Sequence, residues 1–188
     1  MNQINNKYQN IQILEILFFW LRLFYTKSKG VGVIYLMFFF IPQKIFRING
    51  FVKWPVHFTS RINNVKKIKV GNRSCPGMNS GCYIQAKNGI VIGDNLRMGP
   101  NVGLISANHS ISDYDAWEIA PPIELGNNVW LGMGVVVLPG VRIGDNVVIA
   151  SNSVVNKDIP PNVIAGGIPC RVIKDKPPYQ GVNYSEFK

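Results

Sequence analysis

The sequence predicts an all-β solenoid, and three features predict it. The first is a strict six-residue period over Leu125–Asn156, read as LGNNVW, LGMGVV, VLPGVR, IGDNVV and IASNSV from Leu125, Leu131, Val137, Ile143 and Ile149. Position one is always Leu, Ile or Val; position two is mostly Gly or another small residue; position five is Val or Ser. The second is a block in the same phase, IGDNLR from Ile92 and MGPNVG from Met98, preceded by a looser VGNRS from Val70. The third is what the period excludes. A helix repeats every 3.6 residues and a flat strand every two, so neither yields six. A hexad fits one edge of a coil: a short strand, then a turn. Position one then points into the core, and position two lies at a corner with no room for a side chain.

These hexads, with the stretch GNNVWLG…VLPGVRIGDNVVIASNSVVNKDIPPNVIAGGIPCRVIK, resemble the hexapeptide-repeat acyltransferases. The similarity is greatest to the maltose/galactoside O-acetyltransferase branch and to acyltransferases of surface-polysaccharide clusters. The resemblance implies a left-handed parallel β-helix, a homotrimer and acetyl-CoA as co-substrate. It covers roughly residues 70–174, so the expected organisation is an appendage over 1–69, a β-helix over 70–174 and a tail over 175–188. A fold does not by itself fix a substrate.

The appendage is set apart by its charge. Residues 1–69 hold eleven Lys or Arg against Glu15 alone, whereas residues 70–188 hold nine basic and nine acidic residues. The basic residues are interleaved with apolar runs, which points to an anionic lipid surface and not to nucleic acid. Ile11–Tyr25 places Gln12, Glu15 and Arg22 on one narrow stripe of a helix, all else being apolar. Val31–Ile41 is apolar throughout until Pro42. As a helix it would extend about 17 Å, short of the roughly 30 Å of a bilayer core. Neither run reads as a signal peptide, because Glu15 and Arg22 interrupt the first and no small-residue cleavage site follows the second. Two readings stay open: helices lying in the interface of the inner leaflet, or helices packed on the β-helix or between protomers. Residues 43–69 read as a linker in which His57 is a packing or capping residue.

Cys75, Cys82 and Cys170 are odd in number and lack CxxC spacing, so neither a disulfide framework nor a thiolate metal site is expected. Buried free thiols and a cytoplasmic setting follow. No metal is expected. A γ-type carbonic anhydrase on the same solenoid would need three zinc-binding His, and the repeats hold one.

That one is His109, where the hexads stop before resuming at Ile123. The residues between, 107–122, cannot continue a coil and should project as a loop. Imidazole suits general-base duty because its unperturbed pKa lies near working pH. The resemblance places the family's active-site His at His109, seventeen residues after the Ile of an IGDN hexad, here Ile92. It implies acceptor contacts at Asn79 and Trp130. It also implies coenzyme contacts at Met133, Ser151, Asn156 and Lys157, with Arg171 and Lys174 near the nucleotide phosphates. The chain departs from the branch at Met133 (usually a small hydroxyl residue), at Asn156 (usually Thr) and at Lys87 (usually acidic), and its loop is shorter. Lys87 on the acceptor side suits an anionic or lipid-phosphate-linked glycan. The expected function is therefore O-acetyl transfer to a sugar of a surface polysaccharide or its lipid-linked precursor, by direct attack with His109 as base. An N-acyltransferase on an amino sugar or sugar nucleotide is the alternative enzyme, and a membrane-associated scaffold is the non-enzymatic one. A serine acetyltransferase is disfavoured because its helical N-terminal domain has no room in 69 residues.

Overall fold

The computed structural model describes residues 16–28 and 31–186. The chain climbs through five coils. The first contributes β1 (Arg61–Asn63) and β2 (Ile68–Val70), and the second β3 (Tyr83–Gln85), β4 (Ile90–Ile92) and β5 (Arg97–Met98). The third holds β6 (Gly103–Ile105), β7 (Ile123–Leu125) and β8 (Trp130–Leu131), and the fourth β9 (Val136–Val137), β10 (Arg142–Ile143) and β11 (Val148–Ile149). The fifth holds β12 (Val154–Val155) and β13 (Val163–Gly166), and β14 (Arg171–Asp175) folds back antiparallel on β13. Corresponding strands stack in parallel into three sheets: β1-β3-β6-β9-β12, β2-β4-β7-β10 and β5-β8-β11-β13-β14. The result is a three-sided prism, one hexad to a side.

The hexad explains each side. A strand takes positions five, six and one; residues two apart on a strand share a face, so five and one both point inward. Val129, Leu131, Val135, Val137, Val141, Ile143, Val147 and Ile149 are accordingly buried. Position six faces out, as Trp130 and Arg142 do. Position two is Gly because coils touch there. A Cβ on Gly99 would lie 2.6 Å from the Met133 nitrogen, and one on Gly132 would lie 2.7 Å from the Ser151 nitrogen. The left-handed backbone falls instead on position four, where Asn95, Asn128 and Asn146 have φ of 59°, 55° and 59°. Asn tolerates that region through its short polar side chain.

The corner side chains then bond from coil to coil. Asn127 Oδ1 accepts the Asp94 N–H at 2.8 Å, and Asp145 Oδ1 accepts the Asn127 N–H at 2.6 Å. Asn95 Nδ2 donates to Asn128 Oδ1, and Asn146 Nδ2 to Asn162 Oδ1, both at 2.8 Å. Such ladders pair polar groups that a stack of short strands would otherwise leave unsatisfied.

The solenoid begins earlier than residue 70. β1 already pairs with β3 from Arg61 onward, and Val52, Trp54 and Val56 join the same core. Much of the expected linker is thus the first turn of the stack. Its signal is present in Ile62 and Ile68, six residues apart and both buried, and in Gly71, where a Cβ would lie 2.6 Å from the Gly93 backbone of the next coil, but the corner between β1 and β2 holds no Gly.

The appendage differs from a pair of plain helices. Ile11–Glu15, including Gln12 and Glu15 of the polar stripe, lie outside the described residues; the described remainder makes a short 3₁₀ turn, Phe19–Leu23. α1 (Val33–Phe40) follows, and Pro42 does not end the helical path. The chain passes it in one wide π turn, Ile41–Ile45, closed by the Phe46 N–H on the Ile41 carbonyl at 3.0 Å. Leu21, Tyr25, Val33, Leu36 and Phe39 form a second small core that meets the solenoid at Cys75 and Met78. The opposite side exposes Phe19, Leu23, Ile34, Phe38 and Ile41. Among the described residues, no helix is long and apolar enough to cross a membrane.

Candidate active site

The third coil is interrupted between β6 and β7, and residues 107–122 leave the prism as a flap. Its two sides pair across His109 and Trp117: the Glu118 N–H donates to the Asn108 carbonyl at 2.9 Å and the Ser110 N–H to the Ala116 carbonyl at 3.0 Å. Ile111, Tyr114 and Ile119 on the flap are exposed.

Its root is rigid. The buried amide of Gln85 bonds the Ala107 backbone in both directions, accepting from its N–H and donating to its carbonyl at 3.0 Å each. Asn88 Nδ2 donates to the carbonyls of Ser106 and Glu118, again at 3.0 Å, tying both strands of the flap to the coil beneath. His109 follows two residues after Ala107, so its backbone is fixed although its ring is exposed.

The ring itself is held by Trp117. The centroids are 3.9 Å apart with the planes tilted by 37°. Lys87 Nζ lies 3.7 Å from the centre of the same indole. Lys87, Trp117 and His109 therefore form one cluster: a cation on an aromatic ring that also packs the imidazole. A contact of the first kind contributes about 0.5–1 kcal/mol at an exposed site. The sequence alone names His109 and Lys87. It does not single out Trp117, Gln85 or Asn88, whose signal is only position: aromatic and amide residues flanking a break in the hexads.

The other expected site residues lie elsewhere on the same chain. Asn79, Met133 and Ser151 sit at the corner between the β5-β8 sheet and the β3-β6-β9 sheet, with Asn79 Nδ2 donating to the Met98 carbonyl. Trp130 stands on the outer face of β8, beside Arg97 in the ladder. Asn156 and Lys157 occupy the flap's corner, but in the last coil. Arg171 and Lys174 are exposed on β14, and Arg171 donates to the Cys170 carbonyl at 2.7 Å. A whole sheet face, on the order of 15 Å at about 3.3 Å per residue, thus separates His109 from Asn79 within one chain. His57 has a local role: its Nδ1 is 2.8 Å from Thr59 Oγ1, and its ring stacks on Phe58.

The cysteines are thiols. Burial pushes Cys75 up to about 12 and raises Cys82 and Cys170. None of them lies on the flap, and no disulfide joins them. Among the described residues, no group of three His, Cys, Asp or Glu side chains is placed to hold a metal ion.

The family model for the bacterial transferase hexapeptide (six repeats) matches residues 122–157. A galactoside O-acetyltransferase of Escherichia coli is 42% identical over 130 residues, 68% of this chain and 61% of that protein. A hexapeptide-repeat-containing acetyltransferase from Vibrio cholerae, solved with acetyl coenzyme A, is 30% identical with a TM-score of 0.52, covering 63% of this chain and 69% of that one. A galactoside acetyltransferase in complex with coenzyme A superposes over 93% of this chain and 88% of that one, at 28% identity and a TM-score of 0.62. The chain belongs to the hexapeptide-repeat acetyltransferases. It spans 42–61% of the length of such curated relatives as the first three it matches.

Proposed function

We propose that this protein is an acetyl-CoA-dependent O-acetyltransferase acting on a sugar hydroxyl of a surface polysaccharide or its lipid-linked precursor. It would work as a homotrimer of left-handed β-helices at the cytoplasmic face of the membrane. One observation carries the reading. His109 is positioned on a pinned flap at one corner of the prism, whereas Asn79, Met133 and Ser151 occupy another corner and Arg171 and Lys174 lie on β14; only Asn156 and Lys157 share the flap's corner, in the last coil. A second copy related by a symmetry axis brings one set to the other. The relatives solved with coenzyme A or acetyl coenzyme A support the donor.

The chemistry follows from the groups present. The acceptor hydroxyl attacks the thioester carbonyl while His109 takes its proton. The tetrahedral oxyanion is held by a backbone N–H at a neighbouring turn, worth roughly 3 kcal/mol. The C–S bond then breaks and the coenzyme thiolate leaves, recovering the proton as free thiol. The leaving group is good enough that no acyl-enzyme is required, and the three protonated thiols do not offer one. Trp117 keeps the imidazole in place, and Lys87 gives that corner a positive charge suited to an anionic glycan. Met133, Ser151, Asn156 and Lys157 line the coenzyme, with Arg171 and Lys174 toward its phosphates. The exposed apolar side of the appendage and the excess of Lys and Arg in residues 1–69 support contact with an anionic leaflet.

Complementation tests base and assembly together. His109→Ala should lower turnover by roughly 10²–10⁴ with little change in acetyl-CoA affinity, and Asn79→Ala should weaken use of the acceptor. Refolding the two variants together at equal ratio should regenerate about a quarter of the intact sites if each is shared between neighbours. An active His109→Ala protein would overturn the base, and absence of rescue would overturn the shared site.

A further inference from the structure

A cavity of about 320 Å³ lies between the appendage and the first two coils. Its walls are of two kinds. Arg73, Arg97 and Asn79 provide polar groups, and Val31, Met78 and Leu96 provide apolar ones. Arg97 projects from the outer face of β5, and among the described residues no carboxylate is paired with it. Arg73 is fixed by stacking over the Tyr184 ring at 4.6 Å. Both guanidinium groups act on Cys75, another lining residue, drawing its thiol down against the larger effect of burial. The two cations therefore converge on one space.

The apolar side of this space continues outward. Tyr35 of α1 lines the cavity and is itself exposed, and Ile34, Phe38 and Ile41 beside it are exposed as well. A free sugar needs no such border. A small anion needs no Met78 or Leu96. What both halves suit together is an anion carried on a hydrocarbon chain. Paired guanidinium groups match the oxygens of a phosphate ester, and an aliphatic chain leaving along α1 would cover side chains now facing water.

We propose that this cavity is a binding site for the phosphate ester of a long-chain alcohol, its phosphate between Arg73 and Arg97 and its chain running along α1. Asn79 at the same cavity places the phosphate next to the acceptor contact. That link to the acceptor rests on the transfer reading above, whereas the binding itself does not.

The test is calorimetric titration of the full chain, without acetyl-CoA, with farnesyl phosphate, farnesol and inorganic phosphate as separate probes. Farnesyl phosphate should bind at least tenfold more tightly than either of the others. Arg97→Glu should lose at least tenfold of that affinity, and Lys66→Glu, a charge reversal away from the cavity, should lose none. Should Arg97→Glu melt below wild type, Arg97→Gln, which keeps a neutral polar side chain on β5, takes its place with the same expected loss. Equal binding of inorganic phosphate would reduce the site to an anion pocket, and equal binding of farnesol to an apolar one; either result overturns the proposal, as does an unaffected Arg97 variant. His109→Ala should bind farnesyl phosphate as wild type does, so failure of the transfer reading and failure of this site give different results.

Discussion

The coils and the appendage of this chain solve the same problem in opposite ways. In the coils, the inward residues are chiefly apolar, acidic and basic residues balance from residue 70 onward, and each rung is locked to the next by backbone and Asn side chains. In the appendage, the small core of Leu21, Tyr25, Leu36 and Phe39 buries one side only; large apolar residues face outward on the other, and basic residues predominate. Burial has left the Tyr25 hydroxyl without a partner and raised its pKa, and in the ladders the buried Asn95 Oδ1 bears the same cost although its Nδ2 is paired. The difference teaches where each half can absorb change. A solenoid is specified rung by rung, so a fault at a corner affects both neighbouring rungs. A half-covered helix has surface to give to something else.

The largest expected effect breaks the solenoid side of this comparison. Gly132→Val would drive a branched side chain into the Ser151 backbone nitrogen, 2.7 Å from where its Cβ must lie. Backbone at that corner cannot step aside without parting two coils. The loss should be about 3 kcal/mol or more, read as a collapse of the denaturant midpoint; a variant with an unchanged midpoint would mean the stack is looser than its geometry. Next comes the left-handed corner. Asn128→Ala forfeits about 1–2 kcal/mol for the backbone conformation and about 1 kcal/mol for the bond from Asn95. Asn128→Gly forfeits only the second. Chemical denaturation of both should rank Ala below Gly, and the reverse order would show that the left-handed backbone costs Ala less than the added unfolded-state entropy costs Gly.

How much of this was legible beforehand follows the same division. Hexad positions one and two announced the solenoid directly, because a buried aliphatic side chain and a missing Cβ leave a compositional mark. Asn at position four stands in plain view as the N of GDN and GNN, but neither its φ nor its corner role follows from the hexad pattern. The first coil is marked only at its end, by Gly71, since the corner between β1 and β2 is built from Asn64, Val65, Lys66 and Lys67 and lacks a Gly. In the candidate site, His109 stood out as a lone imidazole at a break in a repeat, and the resemblance, not the residues alone, gave it a role. Trp117, Gln85 and Asn88 were not, because what they do depends on a flap folding back on a neighbouring coil, and no local pattern encodes that contact. The appendage was legible in composition and not in conformation: its apolar runs permit several helical paths, and the π turn through Pro42 is chosen by packing.

The proposed nucleotide end offers a smaller effect and a sharper one. Arg171 is exposed on β14, the one strand of the solenoid that runs against the others, and its substitution should leave the stack intact. Arg171→Glu should raise the apparent constant for acetyl-CoA about tenfold, which corresponds to about 1.4 kcal/mol. For an acetylated pantetheine donor, which lacks the nucleotide phosphates, the constant should not move. Equal losses with both donors would assign Arg171 to folding and not to phosphate.

The smallest effect on folding, and the one that decides what the appendage is for, belongs to Phe38. Its ring is 68% exposed on the outer side of α1, so Phe38→Ser removes almost nothing from the core. Stability should stay within about 0.5 kcal/mol of wild type, as for surface changes in general. Binding to vesicles containing anionic lipid is another matter. There the exposed aromatics enter an apolar phase, and withdrawing one of them forfeits about 1.5–3 kcal/mol of transfer free energy. Salt distinguishes the two contributions, because it screens Lys and Arg near the leaflet and leaves the apolar part unchanged. Wild type should therefore remain partly bound at high salt, whereas Phe38→Ser should bind at low salt and be released as salt rises. A variant that loses stability but not vesicle binding would place Phe38 inside a protein interface, and the outer side of the appendage would then be the seat of a second copy of the chain.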